Sequence, residues 1–508
     1  MIKTLRQAVF LRLTLFFAFG IIIQTQKNLL PLWIGFLVFS SLILCLTFLL
    51  PVNRSYHLRW LFGAGLFLLF ASLGGLITHL KWMQSEWTEG TVPGIYKVQI
   101  LDETVRKPKT WMCKVRTGNK TVLIYLPVDS ASSSLLPSDW LLIEARFEKT
   151  DQINLRKQGI AARAFVDGRH WGKIDSPFKQ GFNLYFYSMK CRRILLNRLK
   201  TILPDEKSYA VAAALSCGYV NELDKETRQT FSDAGTSHIL AVSGLHFGII
   251  YSLLNFLFSF LGNHRSGRIV KQLIILPLLW SFAFFTGMPP SVIRAVIMIT
   301  LWGIGAAFSF RGLTINTIGA AAFFMLLYNP FNLYNVGFQL SFSAVLAILL
   351  INPYLTSLYQ SRNPIVNYVW ELSCTSTSAQ LGTAPLSLYY FHQFPLLYLI
   401  SNLFAIPLTG IILLLIPISL ILNIFFGNQP ELLFPLRKLL QVFIGVLSAI
   451  AEIPNGVVRD IYLTVKDVVC LLLEIVFLFL LLIKKRIIYL CLLIIIVVLQ
   501  VFYYLCSF

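Results

Sequence analysis

Residues 29–50 read LLPLWIGFLVFSSLILCLTFLL, a run with no charged side chain. It exceeds the roughly 20 apolar residues that cross a bilayer core. Backbone groups in lipid must be satisfied within the protein, and a run this long and this apolar points to a helix rather than a barrel strand. The same texture recurs along the chain. Of 508 residues, 56% are hydrophobic and 13% charged. Apolar segments fall near residues 8–23, 29–50 and 58–80. They return near 237–262, 269–286, 289–308, 312–328, 331–358, 365–391, 396–425, 435–455, 468–483 and 487–506. The sequence predicts a polytopic α-helical membrane protein with about 11–13 transmembrane segments, of which 435–455 is the weakest and could lie at the interface.

Charge gives the expected orientation. Lys3, Arg6 and Arg12 precede or enter the first segment, and Arg54 and Arg59 lie between the second and third. The positive-inside rule then puts the N-terminus in the cytoplasm and residue 81 onward outside. The basic loops NHRSGR, FSFRG, QSRNP, Arg437–Lys438 and KKR alternate as cytoplasmic under that scheme. The N-terminus resembles a signal peptide in its basic start but lacks a clear cleavage site, and reads as a retained helix. The net charge of +20 fits loop bias and attraction to anionic lipid, or a polyanionic substrate.

Between residues 90 and 175 the pattern changes to short β-rich runs, among them GIYKVQILDE, KTWMCKVRT, KTVLIYLP, DWLLIEARFEK and IAARAFVDGRHWGKI. Turn formers separate them, so the segment reads as a small extracytoplasmic β-barrel, OB-fold-like in strand number, with a two-sheet sandwich as the alternative. Residues 81–207 carry net +9, from 22 Lys and Arg against 13 Asp and Glu. Lys114, Arg116, Lys120, Trp111 and Tyr125 are therefore candidates for holding a single nucleic-acid strand by charge and stacking. The bland alternative makes the aromatics Tyr96, Trp111, Tyr125, Trp140, Phe147, Phe165 and Trp171 core and interface anchors. Residues 177–204 read as an amphipathic interfacial helix. NELDKETRQTFSDAG reads as a short solvated helix leading into the channel-like half, 205–508. Cys113 and Cys191 are the two cysteines that an oxidising side would allow to pair.

Polar groups stand out inside the second half. SHILAVSGLHFG, residues 237–248, places His238, Ser243 and His246 where a span is expected to open. Gly244 and Gly248 form a GxxxG that would let helices approach closely. Ser243 and His246 are three apart, on one helical face if the segment is a helix, yet no acid nearby in sequence would orient His246. Arg294 enters a span behind a double proline. Gln339, Glu371, Gln380 and His392 sit in later ones. Ionisable and polar side chains at membrane depth are costly and line an interior or a wet path. Snorkelling or pairing with Glu371 is the alternative for Arg294. The seven histidines show no HxH, HxxxH or HExxH spacing, no CxxC occurs, and no GxxxxGK[ST] loop is present. The sequence thus offers no metal site, no cofactor and no catalytic residues.

These residues carry a resemblance. ALSCGYVNELDKETRQTFSDAGTSHILAVSGLH resembles the opening of the competence domain of ComEC-type DNA-uptake channels. The likeness continues through GMPPSVIRAVIM, NPFNLYNVGFQLSFSAV and AQLGTAPLSLYYFHQFPLLYLISNLFAIPL in the family's order. Three leading helices (1–82), an OB-like insertion (90–175) and the amphipathic connector precede it, as in the family. The resemblance implies a channel in the cell inner membrane that imports one DNA strand during natural transformation. His238, Ser243, His246, Arg294, Gln339, Glu371, Gln380 and His392 would line or lock it. It also implies DNA and membrane lipids as partners, alongside a DNA receptor, a separate nuclease and an ATP-driven cytoplasmic motor. Longer members end in a metallo-β-lactamase-like domain. No HxHxDH appears here, so a short form without nuclease activity is expected. A membrane-embedded enzyme using Ser243 and His246, or a small-solute permease, are the rival readings.

Overall fold

In the computed structural model the chain is mostly helical. The structure describes residues 8–49, 58–87, 93–102, 104–133, 135–149, 155, 157–168, 170–174, 184–262, 264–308 and 314–507. Lys3, Arg6, Arg54, the aromatic residues Phe178 and Phe182, and most of the FSFRG turn lie outside these. Contacts divide the chain into two compact units, residues 1–191 with 319–335, and residues 192–318 with 336–508.

The first unit opens with helices α1 (Val9–Gln26), α2 (Leu30–Leu49) and α3 (Arg59–Gln84). Small residues bring α1 and α3 into backbone contact. A Cβ on Gly20 would fall on the Ala71 carbonyl, and one on Gly74 would lie 2.2 Å from the Phe17 carbonyl oxygen. Such approach is how apolar helices associate when lipid offers no hydrophobic gain. A polar anchor between α1 and α2 is Gln24, whose Oε1 accepts the Trp33 indole N–H at 2.7 Å.

Strands follow: β1 (Gly94–Ile100), β2 (Val105–Arg106), β3 (Thr110–Thr117), β4 (Lys120–Pro127), β5 (Trp140–Ala145), β6 (Glu148–Lys149), β7 (Ile160–Phe165) and β8 (Trp171–Ile174). Their order is β6-β7-β4-β3-β1-β5-β8, with β2 on β3. The β4–β7 pair is parallel and the rest are antiparallel. Alternation puts Val98, Cys113, Val115, Val122, Ile124, Leu141 and Ile143 on one buried face. The expected barrel is corrected here: among the described residues the sheet is open and an OB-fold is not established. Its edge strands, β6 and β8, do not pair with each other, and Trp87 and Phe147 pack into the apolar cluster on its buried face. Cys113 and Cys191 are free thiols, so the pairing considered from sequence does not form.

The second unit begins at residue 192, within α4 (Leu184–Ile202), and continues through α5 (Glu206–Cys217), α6 (Lys225–Asp233) and the one-turn α7 (Ser237–Leu240). Asp205 caps α5 by accepting from the Ser208 N–H at 2.9 Å, and Gly218, at φ 66°, ends it. Asp224 caps α6 through the Thr227 N–H at 2.8 Å. Leu196, Leu199 and Ile202 of α4 are buried in the core, while Tyr187 and Ile194 are exposed.

The remaining helices are α8 (Gly244–Leu257), α9 (Arg265–Phe285), α10 (Pro290–Ala307), α11 (Thr314–Tyr328), α12 (Val336–Ser357) and α13 (Pro364–Phe391). After them come α14 (Tyr398–Phe426), α15 (Pro430–Ala451), α16 (Val465–Lys484) and α17 (Ile487–Ser507). Two short strands, β9 (Gln393–Pro395) and β10 (Val457–Arg459), pair antiparallel on either side of α14 and α15. Each predicted apolar segment overlaps at least one helix, though 237–262 is divided between α7 and α8. Among the described residues, eight are long and apolar enough to cross a membrane: α1, α2, α3, α9, α10, α12, α14 and α15. The doubtful segment at 435–455 is one of them, with Leu433, Leu436, Leu440 and Phe443 fully buried.

Candidate functional site

The segment SHILAVSGLHFG does not open a continuous helix. After α7 the chain becomes extended at Ala241 (ψ 133°) and Ser243 (φ −116°, ψ 173°), and α8 starts at Gly244. Ser243 is thus the N-cap of α8 and does not share a helical face with His246. His246 Nδ1 accepts the Ser243 backbone N–H at 3.3 Å and lies 2.9 Å from Ser243 Oγ. This is a capping box in which an imidazole takes the place usually held by a carboxylate or amide. Accepting through Nδ1 leaves the proton on Nε2. That nitrogen is buried and has no hydrogen-bond partner among the described residues. An acid that would orient the ring for catalysis is therefore not bonded to it.

The GxxxG reading is corrected as well. A Cβ on Gly244 would make ordinary contact with the Ala295 Cβ at 3.9 Å, and one on Gly248 would meet open space. The close approach lies elsewhere. At Gly382 on α13, an added Cβ would stand 2.4 Å from the Ala347 Cβ and 2.7 Å from the Ser343 carbonyl oxygen of α12.

Arg294, on the second turn of α10, is 4% exposed. Its Nε and Nη1 have no hydrogen-bond partner among the described residues. The alternative of an ion pair with Glu371 is not realised: Glu371 is exposed on α13, and no ion pair joins the two among the described residues. Phe247 of α8, with Val242 from the extended segment before it, packs with Val292, Ala295 and Val296 of α10 and with α9 residues. His238 is exposed on α7.

The other candidates have local partners. Gln339 accepts from the Tyr390 hydroxyl at 2.9 Å. His392 sits at φ 57° as the C-cap of α13, with Nδ1 3.3 Å from the Ile461 carbonyl oxygen. Gln380 is half-buried on α13. The hydroxyls of Ser373, Thr375, Ser378 and Thr383 bond carbonyls four residues back in the same helix, so they satisfy themselves and do not need a wet lining.

In the sheet, the five sequence candidates divide between two faces. Trp111 packs against the core, as do Tyr96 and Trp171. Lys120 Nζ stands 5.4 Å from the ring centroid of the buried Trp87. Lys114, Arg116 and Tyr125 are on the opposite face. Tyr125 stacks there on Phe165, with centroids 4.7 Å apart and rings 17° from parallel. Phe165 is 63% exposed. Arg163 projects beside it, in a 3.5 Å ion pair with Glu148, and Lys114 lies 3.7 Å from Asp102. Exposed pairs of this kind are worth about 0–1 kcal/mol, so a phosphate can compete for either cation. Arg116 is exposed and has no ion pair among the described residues. Phe165 and Arg163 were missed as site residues. Their signal was the alternation AARAF, in which small residues at 162 and 164 face inward and send 163 and 165 outward.

Eight described helices long and apolar enough to cross a membrane define a multi-pass membrane protein. More narrowly, the competence protein family matches residues 215–487, more than half of the chain, and the chain belongs to that family. It is 30% identical over 225 residues to ComE operon protein 3 of Bacillus subtilis, covering 44% of this chain and 28% of that protein. It is 25% identical over 245 residues to Recombination protein 2 of Haemophilus influenzae, covering 46% and 31%. An uncharacterized protein of Aquifex aeolicus is 28% identical over 310 residues, covering 59% and 67%. The chain thus spans under a third of the two named relatives. No solved structure matches it significantly.

Proposed function

We propose that this chain is the cell inner-membrane channel that passes one strand of incoming DNA to the cytoplasm during transformation. The observation that carries this reading is the outward Tyr125–Phe165 stack, flanked by Lys114, Arg116 and Arg163 on one sheet face. Unpaired bases can stack on exposed rings, and cations take the phosphates, whereas a duplex keeps its bases covered. In this reading the chain has 11–13 spans, a cytoplasmic N-terminus and an extracytoplasmic sheet. Residues 1–82, 90–175, 177–204 and 205–508 form successive functional segments. A DNA receptor, a separate nuclease and an ATP-driven motor complete the system.

The test is transformation of a deletion strain with labelled duplex DNA, following label on both sides of the inner membrane. Label held outside, with passage restored by the wild-type gene, supports the channel. Unchanged passage in a demonstrably competent host sinks it. The 2.9 Å Ser243–His246 contact favours one rival, a membrane enzyme. Full uptake by a Ser243→Ala strain eliminates catalysis as the basis of uptake.

A further inference from the structure

We infer that Asp102 and Glu148 are built-in competitors of the strand. Each holds a cation that a phosphate would take, and takes it back when the phosphate leaves, so this sheet face grips a strand loosely enough to let it move. This rests on the reading of that face as a single-strand platform.

The strand registers place the two acids. Lys114 lies opposite Leu123 on β4, Leu123 opposite Arg163 on β7, and Arg163 opposite Glu148 on β6. Asp102, two residues past β1, stands 3.7 Å from the Lys114 Nζ, and Glu148 Oε2 stands 3.5 Å from the Arg163 Nε. One row across the sheet therefore runs acid, base, leucine, base, acid. Neighbouring strands are about 4.8 Å apart, so the backbones of the two basic residues are about 10 Å apart. The row holding Tyr125 and Phe165 runs beside it, two residues farther along β4 and β7, or about 7 Å. A phosphate next to a base held on those rings falls over the charged row, where both cations already have a carboxylate.

The four charged side chains are between 38% and 56% exposed. Ion pairs this open to water are weak and exchange readily. A phosphate offers each cation the same kind of partner that it leaves, and the freed carboxylate then stands beside the phosphate as a like charge. Arg116 is the contrast, since it has no ion pair among the described residues and nothing has to be displaced from it. The face thus combines one unshared cation with two shared ones.

The test uses the full chain in maltoside detergent and a labelled 12-nucleotide oligothymidylate. Anisotropy gives the affinity, and a chase with unlabelled oligomer gives the dissociation rate. Asp102→Asn and Glu148→Gln should each tighten binding about 2- to 5-fold, the worth of one exposed pair, mainly by slowing dissociation. Glu144→Gln removes the same charge from β5, two strands from β3 and opposite the start of β1. That is more than the screening length of about 8 Å at physiological salt, so its affinity should match wild type.

A carboxylate acting through its charge alone adds to any other substitution, whereas a competitor needs the cation that it competes for. The gain from Asp102→Asn should therefore largely vanish in a Lys114→Gln background, and the gain from Glu148→Gln in an Arg163→Gln background. Both gains should persist in Arg116→Gln. Unchanged affinity in both acid variants overturns the competitor role and leaves the pairs as fasteners of the sheet. Full additivity in both backgrounds overturns it too, as does an equal gain from Glu144→Gln. If Lys114→Gln, Arg163→Gln and Phe165→Ala all bind as wild type does, the platform reading fails and the competitor role goes with it. If those three weaken binding while the acid variants do not tighten it, the platform stands and the competitor role alone is lost.

Discussion

Replacing Phe165 by alanine isolates the stacking face, because most of that ring is already in solvent. The side chain is 63% exposed, so folding hides about a third of an aromatic's roughly 200 Å², near 75 Å². At about 25 cal/mol per Å² the truncation costs at most about 2 kcal/mol of stability, an upper figure because unfolded chains are not fully extended. A base stacked on the ring is worth about 1–3 kcal/mol, which is about 5- to 150-fold in affinity. Fluorescence anisotropy with labelled oligothymidylate should therefore show Phe165→Ala weakening single-strand binding about tenfold or more. The slope of affinity against salt should not change, since no phosphate contact has been removed. Arg116→Ala is the complement. It should lower the salt slope by about 0.7, the value of one neutralised phosphate on a single strand. The reasoning fails if Phe165→Ala leaves single-strand affinity intact, or if a duplex of the same sequence loses as much.

Further outcomes follow from other parts of the fold. Gly382→Ala should lower the thermal midpoint, because its Cβ would meet Ala347 at 2.4 Å and overpacking costs about 1–3 kcal/mol. Gly248→Ala should be tolerated or stabilising, and the opposite ranking would refute the assigned helix contact. Burial pushes the Cys113 thiol up to about 12, so maleimide should spare it in the folded protein through pH 9 and label it on unfolding, read by peptide mass mapping. Native-state labelling would show the sheet core to be open. Hydrogen bonds from Thr227 hold the Asp224 carboxyl below its ordinary range. The stability this gives α6 is present above the unfolded value of about 3.9 and is lost as pH falls through the lower folded value. Asp224→Asn should keep the cap and flatten that pH response, while Asp224→Ala should cost about 1 kcal/mol, both measurable by hydrogen exchange over residues 225–233. An unchanged acid response in Asp224→Asn would place the titrating group elsewhere.

The helices were legible because hydrophobic runs report burial in lipid one residue at a time. Even the doubtful α15 was marked by Leu433, Leu436, Leu440 and Phe443 at helical spacing. The sheet's strands were legible for the same reason, but closure depends on whether two distant edges meet, and no local pattern records that. The break at Ala241–Ser243 was hidden because AVSGLH is compatible with an apolar helix, and only the pairing of His246 with the Ser243 N–H reveals a cap. GxxxG likewise states what a helix permits, whereas the partner decides: Gly248 has none and Gly382 has one. Arg294 was visible as an oddity. That Glu371 does not neutralise it is a three-dimensional fact.

The pairing of β9 with β10 carries a consequence for counting crossings. Val457 lies opposite Pro395 and Arg459 opposite Gln393, so the chain returns to the level it left. Between those strands it can traverse a bilayer only an even number of times. At 1.5 Å per residue, the 29 residues of α14 extend about 43 Å, enough to cross once. The return must then be made by α15, and the two helices stand or fall as a pair. Whatever side Gln393 faces, Arg459 faces it too, and a tag placed in the 427–429 turn should report from the opposite one.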